Sequence, residues 1–249
     1  MAKTYLVNGL VYIGRQFENK TLCMEDGKLT VLEAGASTAD GTVFDAAGLK
    51  VVPGFIDTHT HGAVGVDVNG ATAEDLEKIS CFMASKGTTS WLCSVLTDTQ
   101  EQTEWCIEQV KAHAKMEQKG ADLLGIHLEG PFLAKEYKGA MPEHLLGALK
   151  WLEAPVVAAH WGGVQCDQQV LDKLCGKDIY FDLSFGYGLL PRMQAQKILE
   201  KHGTDRLLFA SDMPWHRPSW EQRLLDTLEM TGAQREDICW RNATKLLEP

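Results

Sequence analysis

The chain has 249 residues, enough for one large α/β barrel or for a smaller barrel with an appendage. A formal net charge of −10 argues against nucleic acid or an anionic membrane surface as partner. Seven scattered cysteines without a C-x-x-C pair, no signal-like N-terminus and no membrane-length apolar run point to a cytoplasmic protein with reduced thiols, and exclude a disulfide framework or a thiolate zinc site.

Residues 1–50 read as a small β appendage. Thr4–Val7, Gly9–Ile13, Thr21–Met24 and Lys28–Leu32 are β-type runs, Asn8-Gly9 and Asp26-Gly27 supply hairpin turns, and Gly35–Gly41 is a loop of small residues. From residue 51 to 249 the pattern changes to strand followed by helix. The apolar run 51–56 leads into His59 and His61. Thr72 caps a helix through Met83 that Gly87 closes. Thr88–Val95 is the next strand, a long helix spans about 98–119, and Leu123–Glu129 is a third strand stopped by Gly130-Pro131. Residues 131–154 are irregular, with one short helix near 143–152. Regularity returns with the strand Pro155–His160, a helix at 167–175, the strand Asp178–Leu183, a helix at 191–202 and the strand Leu207–Asp212. Helices near 219–230 and 235–247 finish the chain.

Strands alternating with helices imply a parallel sheet, and polar residues at the strands' C-terminal ends imply a (β/α) barrel whose site lies on that face. Six barrel strands are evident. The two that a TIM-like barrel would add, its fourth and fifth, are short or absent between Pro131 and Pro155. The front half is 51–146 and the back half 155–249.

Five groups occupy one kind of position, the last residues of an apolar strand: His59 with His61, Glu129, His160 and Asp212. Each has an ordinary explanation as a turn or core residue. Together they make a histidine and carboxylate set suited to a divalent metal, because imidazoles two apart on a strand face the same way. Trp161 and Trp215, next to His160 and Asp212, are candidates to wall a pocket, with core packing as the alternative. Asp182 and Ser184 read as lining at most.

Val52–Gly62 resembles the first-strand signature of the amidohydrolase superfamily. Gly125-Ile126-His127-Leu128-Glu129-Gly130-Pro131-Phe132, with Lys138-Gly139-Ala140 beyond it, resembles the third-strand region of N-acetylglucosamine-6-phosphate deacetylases. This likeness covers residues 1–146. Ala159–Gly163, Tyr180–Ser184, Leu208–Trp215 and Trp240–Leu247 resemble the aminocarboxymuconate-semialdehyde decarboxylase-like branch of the same superfamily, over 155–249.

The resemblance implies a metal-dependent hydrolase barrel with His59, His61, Glu129, His160 and Asp212 as metal ligands, zinc first and iron(II) second. It implies Asp212 as the group that takes and returns a proton, and His127 as a partner for the substrate carbonyl. The substrate would be a small molecule, an acetylated amino-sugar phosphate, with His216 and Arg217 as candidate cations; a solvated loop is the preferred reading of that pair. In a lactonase or decarboxylase of the second branch, His59, His61 and Asp212 would hold the metal, His160 would activate water and Glu129 would be incidental. A third expectation is an inactive, truncated barrel or a homodimer completing its barrel by exchange. Both branches carry a fifth-strand histidine that no motif here supplies; His144 is the nearest substitute.

Overall fold

The computed structural model describes residues 3–129, 157–163 and 165–247. The chain divides into two units, Met1–Pro53 and Gly54–Pro249. The expected helix near 143–152, His144 and the positions of a fourth and fifth barrel strand lie outside the described residues.

The first unit is one sheet of β1 (Lys3–Val7), β2 (Leu10–Ile13), β3 (Gln16–Glu25), β4 (Lys28–Glu33), β5 (Gly41–Asp45) and β6 (Lys50–Val51). Asp26-Gly27 makes the expected β3–β4 turn, both residues having positive φ (51° and 71°). Asn8-Gly9 is not a hairpin. β1 and β2 both run antiparallel to the ten-residue β3, one along each half of it, so this dipeptide is a kink between consecutive segments. The hairpin turn is Gly14-Arg15, where both φ values are again positive. β5, not foreseen, pairs in parallel with β1.

The second unit contains β7 (Phe55–Asp57), β8 (Gly62–Ala63), β9 (Val66–Asp67), α1 (Ala73–Ala84), β10 (Thr88–Leu96), α2 (Gln100–His113), β11 (Asp122–Glu129), β12 (Val157–Ala158), α3 (Asp167–Lys173), β13 (Tyr180–Asp182), α4 (Arg192–His202), β14 (Leu207–Leu208), α5 (Pro218–Asp226), α6 (Gly232–Glu236) and α7 (Asn242–Leu247). Two parallel three-stranded ladders form, β11-β10-β7 and β12-β13-β14. They meet along a seam past the ends of β7 and β14. Thr58 N–H reaches the Phe209 carbonyl (3.2 Å), Asp212 N–H the His59 carbonyl (2.8 Å) and His61 N–H the Met213 carbonyl (2.8 Å). The six expected barrel strands therefore form one parallel arc, β11-β10-β7-β14-β13-β12.

The ladders are shorter than the apolar runs because the chain beyond them stays extended and bonds to its neighbours irregularly. The arc is backed by two apolar clusters. One gathers Trp161, Phe181, Phe209, Ile198, Leu225 and Ile238. The other gathers Leu76, Ile79, Met83, Trp91 and Val95, with Trp91 Nε1–H donating to Ser80 Oγ at 2.9 Å. Thr72 caps α1 in a reciprocal box with Asp75, as its sequence suggests. Two helices depart from expectation. α2 ends at His113 rather than near 119, because the buried His113 ring turns to Glu77 (2.8 Å) and Glu77 also accepts the Lys119 N–H (2.7 Å). The C-terminal helix is interrupted by a π turn at Asp237–Arg241, where the Ile238 carbonyl accepts the Phe209 N–H from the arc (2.9 Å).

Candidate metal centre

Past β7 the chain continues as Thr58-His59-Thr60-His61 between two extended neighbours: Ser94 N–H bonds the Thr60 carbonyl on one side, and Met213 pairs with Thr60 on the other. This extended geometry turns both imidazoles to one side, as their spacing implied. Gly62 then turns the chain at φ 145°, where a Cβ would collide with the Val66 carbonyl oxygen. Asp57, fully buried, locks the seam beneath. It accepts the Ser211 hydroxyl (2.5 Å) and N–H (3.1 Å) and the His59 N–H (3.2 Å). Burial pushes its carboxyl up to about 6 against those bonds.

Four donor atoms converge above this seam. His59 Nε2 and His61 Nε2 are 2.9 Å apart. Glu129 Oε2, from the end of β11, lies 2.9 Å from His61 Nε2 and 3.4 Å from His59 Nε2. Asp212 Oδ1, past β14, lies 3.5 and 3.9 Å from the same two nitrogens. A tetrahedral ion with bonds of about 2.0–2.2 Å separates its ligands by roughly 3.3–3.6 Å, a range that the edges here bracket, two lying within it, two at 2.9 Å below it and one at 3.9 Å above it. Asp212 and His160 are both in left-handed backbone (φ 57° and 58°), strain of a kind that gathers at functional sites.

Asp182, which the sequence suggested only as lining, governs this cluster. Its Oδ2 accepts His59 Nδ1–H at 2.7 Å. A carboxylate only accepts, so Nδ1 carries a proton, and the neutral ring that a metal requires presents its lone pair at Nε2, toward the other donors. Its Oδ1 accepts the Ser184 hydroxyl (2.5 Å) and the His160 N–H (3.0 Å). With the Ser184 proton committed there, Ser184 Oγ accepts His160 Nδ1–H at 2.8 Å. That leaves the His160 Nε2 lone pair free as well. One buried carboxylate thus sets the tautomers of two imidazoles. By contrast His61 Nδ1 is buried with no hydrogen-bond partner among the described residues.

His160 stacks on His59, with centroids 5.2 Å apart, and groups with His59 and Asp182 rather than with His61 and Asp212. His127 meets His59 edge-on at 4.8 Å, and its Nδ1 lies 2.9 Å from Ser94 Oγ. Burial and the His59 charge push His127 down to about 4, so it is neutral at physiological pH. It also lines an apolar cavity inside the arc with Thr58, Leu92, Val157, Leu208 and Leu246.

The charges are mutually dependent. Burial opposes ionisation of His59, but the carboxylates of Asp182 and Glu129 hold its pKa well above the ordinary value. Burial likewise works against Glu129 and Asp182, yet the imidazoles hold both carboxyls well below the usual range. Asp212 differs: burial lifts it to about 6 and outweighs the pull of His59 and His61, with a smaller upward push from Asp182 and Glu129.

His216 and Arg217 are not a solvated pair. His216 is buried, its Nδ1 is 2.5 Å from Glu221 Oε1, and its ring stacks on Phe185 at 4.2 Å. Glu221 also accepts the N–H groups of Gly186 (3.0 Å) and Tyr187 (3.1 Å). Arg217 is exposed, its guanidinium lying 5.3 Å from the Trp220 ring. Trp161 is core, donating to the Leu183 carbonyl, whereas Trp215 is exposed against His61.

Comparison with known proteins gives the same frame. N-acetylglucosamine-6-phosphate deacetylase of Lysinibacillus sphaericus is 30% identical over 125 residues, which is 50% of this chain and 32% of that protein. The human enzyme of the same name is 37% identical over 103 residues, 40% of this chain and 25% of its own length. The chain therefore spans about a third or less of these two relatives. In fold, it is similar to N-acetylglucosamine-6-phosphate deacetylase from Thermotoga maritima, with a TM-score of 0.69 at 14% identity over 98% of this chain and 89% of that one. The family profile described as Amidohydrolase matches residues 114–248, more than half of the sequence. That span carries Glu129, His160, Asp182 and Asp212, and by it the chain belongs to the amidohydrolase family.

Proposed function

We propose that the chain carries a metal-dependent amide hydrolase site for N-acetylated amino-sugar phosphates, on a TIM-like barrel of which the six-stranded arc is part. The observation that carries this reading is Glu129 Oε2 within 3.4 Å of both Nε2 atoms. A decarboxylase- or lactonase-like site would leave that carboxylate incidental, whereas an anionic oxygen against two imidazole nitrogens suits a shared cation. The donor set of imidazole and carboxylate fits zinc first and iron(II) second. The orientation of His59 by Asp182 is the outer carboxylate arrangement that metal-ligating histidines use. His59, His61 and Glu129 would hold the ion; Asp212 closes the fourth edge.

When bound, the metal supplies Lewis acidity, lowering the pKa of water to about 7 and polarising a carbonyl. The chain's own residues do the rest. Asp212, lifted to about 6, is ionised at neutral pH yet basic enough to take a proton at its free oxygen from attacking water. It then returns that proton to the leaving amine. Neutral His160, its Nε2 lone pair exposed by Ser184, is placed to orient that water or the acyl oxygen. His127 supports the His59 ring edge-on from behind. The products would be acetate and an amino-sugar phosphate.

Glu129→Gln tests the reading. Bound metal and turnover of N-acetylglucosamine 6-phosphate should both fall sharply. Unchanged metal content would count against the deacetylase site and favour the alternative ligand set of His59, His61 and Asp212.

A further inference from the structure

The loop after Asp212 holds two side chains that neither the metal donors nor the proton transfer use. Trp215 is 56% exposed, unusual for so large a ring. It stands edge-to-face on His61, centroids 5.5 Å apart at 70°. Backbone fixes it there. The N–H groups of Trp215 and His216 both reach the Asp212 carbonyl, at 3.1 and 3.2 Å. His216 anchors the far side through its bond to buried Glu221. The indole is thus held at the donor cluster while exposing more than half of its surface.

Two residues on, Arg217 is exposed, and among the described residues its guanidinium contacts the Trp220 ring rather than a carboxylate. Three carboxylates, Glu129, Asp182 and Asp212, crowd the donor cluster. An anionic substrate group must therefore be held away from them and by a cation.

We propose that this loop is the ring-and-anion subsite of the substrate: Trp215 stacks on the C–H face of a pyranose and Arg217 binds the phosphate that the sugar carries. This rests on the amino-sugar phosphate reading above. The apolar face of a pyranose matches an indole face, and a guanidinium fork matches phosphate oxygens two by two.

The test uses ligands that are not turned over, glucosamine 6-phosphate and glucosamine, titrated calorimetrically into the full chain. Trp215→Ala should weaken both about 10-fold, while Trp215→Phe, which keeps a ring, should lose only about 3-fold. Arg217→Ala should weaken the phosphate ester by about 10- to 100-fold and leave glucosamine unchanged, with Arg217→Lys between. Metal content should be the same in all four variants. The proposal is overturned if wild type binds the ester no tighter than glucosamine, if either alanine variant binds like wild type, or if Trp215→Ala loses metal, which would make the indole a shield for His61. The deacetylase reading fails separately: if N-acetylglucosamine 6-phosphate is not hydrolysed but this binding pattern holds, the subsite stands alone.

Discussion

Replacing Asp182 by Asn exchanges one oxygen for an NH2 group and should weaken the proposed metal centre without touching a proposed ligand. The new amide has one accepting oxygen and one donating nitrogen. Its oxygen best stays where Asp182 Oδ1 accepts from Ser184 Oγ, Ser184 N–H and His160 N–H, since turning it away would set the amide nitrogen against those donors. The amide nitrogen then faces His59 Nδ1, 2.7 Å away in the native protein. Two donors cannot face each other, so His59 must move its proton to Nε2, the atom aimed at His61 and Glu129. The lone pair needed for coordination is lost from the centre. Loss of such outer partners typically lowers metal affinity by about 10- to 100-fold, or about 1.4–2.7 kcal/mol. Competition against a chelator of known affinity measures this directly, with far-ultraviolet circular dichroism as the check on folding. Native affinity in a folded Asp182→Asn protein would refute the tautomer argument and return Asp182 to a purely structural role.

Glu221 gives a pH prediction. Burial raises its carboxyl from 4.5 to about 8 while burial lowers His216, so the proton between them rests on the carboxyl near neutrality. A raised folded-state pKa stabilises fully below the unfolded value and is lost as pH rises toward 8, at up to about 1.4 kcal/mol per pH unit. Wild type should therefore lose on the order of 2 kcal/mol between pH 6 and 8 relative to Glu221→Gln, seen as a steeper fall of Tm; parallel curves would contradict it. Ser211→Ala removes one bond to the buried Asp57 carboxyl and should cost about 1.5–3 kcal/mol in urea unfolding. A cost near zero would mean the seam is not held there. Asp212→Asn should keep most of the bound metal and lose nearly all turnover; parallel loss of both would make Asp212 a ligand first.

The candidate donors could be picked out because each carries a local mark, although their convergence is not local. Two imidazoles two apart on an extended chain share a face whatever lies around them, and Glu129 and Asp212 end apolar runs before Gly-Pro and Met-Pro. The arc was legible from strand–helix alternation, although its ladders are shorter than the apolar runs. Asp182 was underrated because its partner is 123 residues away and no spacing records that. The signal available was weak: a carboxylate ending an apolar run, with a serine two residues on. His216 was misread for a related reason. Its burial depends on Glu221, five residues later and across the start of α5, which matches neither the helical nor the strand period. The π turn near Ile238 was hidden because a strand-side N–H, not the helix sequence, claims that carbonyl.

Asp212 suits both a ligand and a proton-transfer role, and the geometry favours the second. His59, His61 and Glu129 form a tight triangle, with donor separations of 2.9, 2.9 and 3.4 Å. Asp212 Oδ1 stands off at 3.5 and 3.9 Å. Catalytic zinc sites take three protein ligands and keep a fourth position open for water, whereas a fourth tight ligand makes a closed, structural site. The protonation pattern divides the same way. Glu129 is held ionised by the imidazoles it faces, which suits the proposed ligand role, while burial holds Asp212 at about 6, where a proton can be both taken and returned. The triangle is drawn from β11 and the extension of β7, two strands joined through β10 in one hydrogen-bonded sheet. Asp212 enters across the seam that Asp57 and Ser211 lock. In the proposed site, ligands and base would therefore be carried by separate segments of the arc, with the distance between them set by the seam.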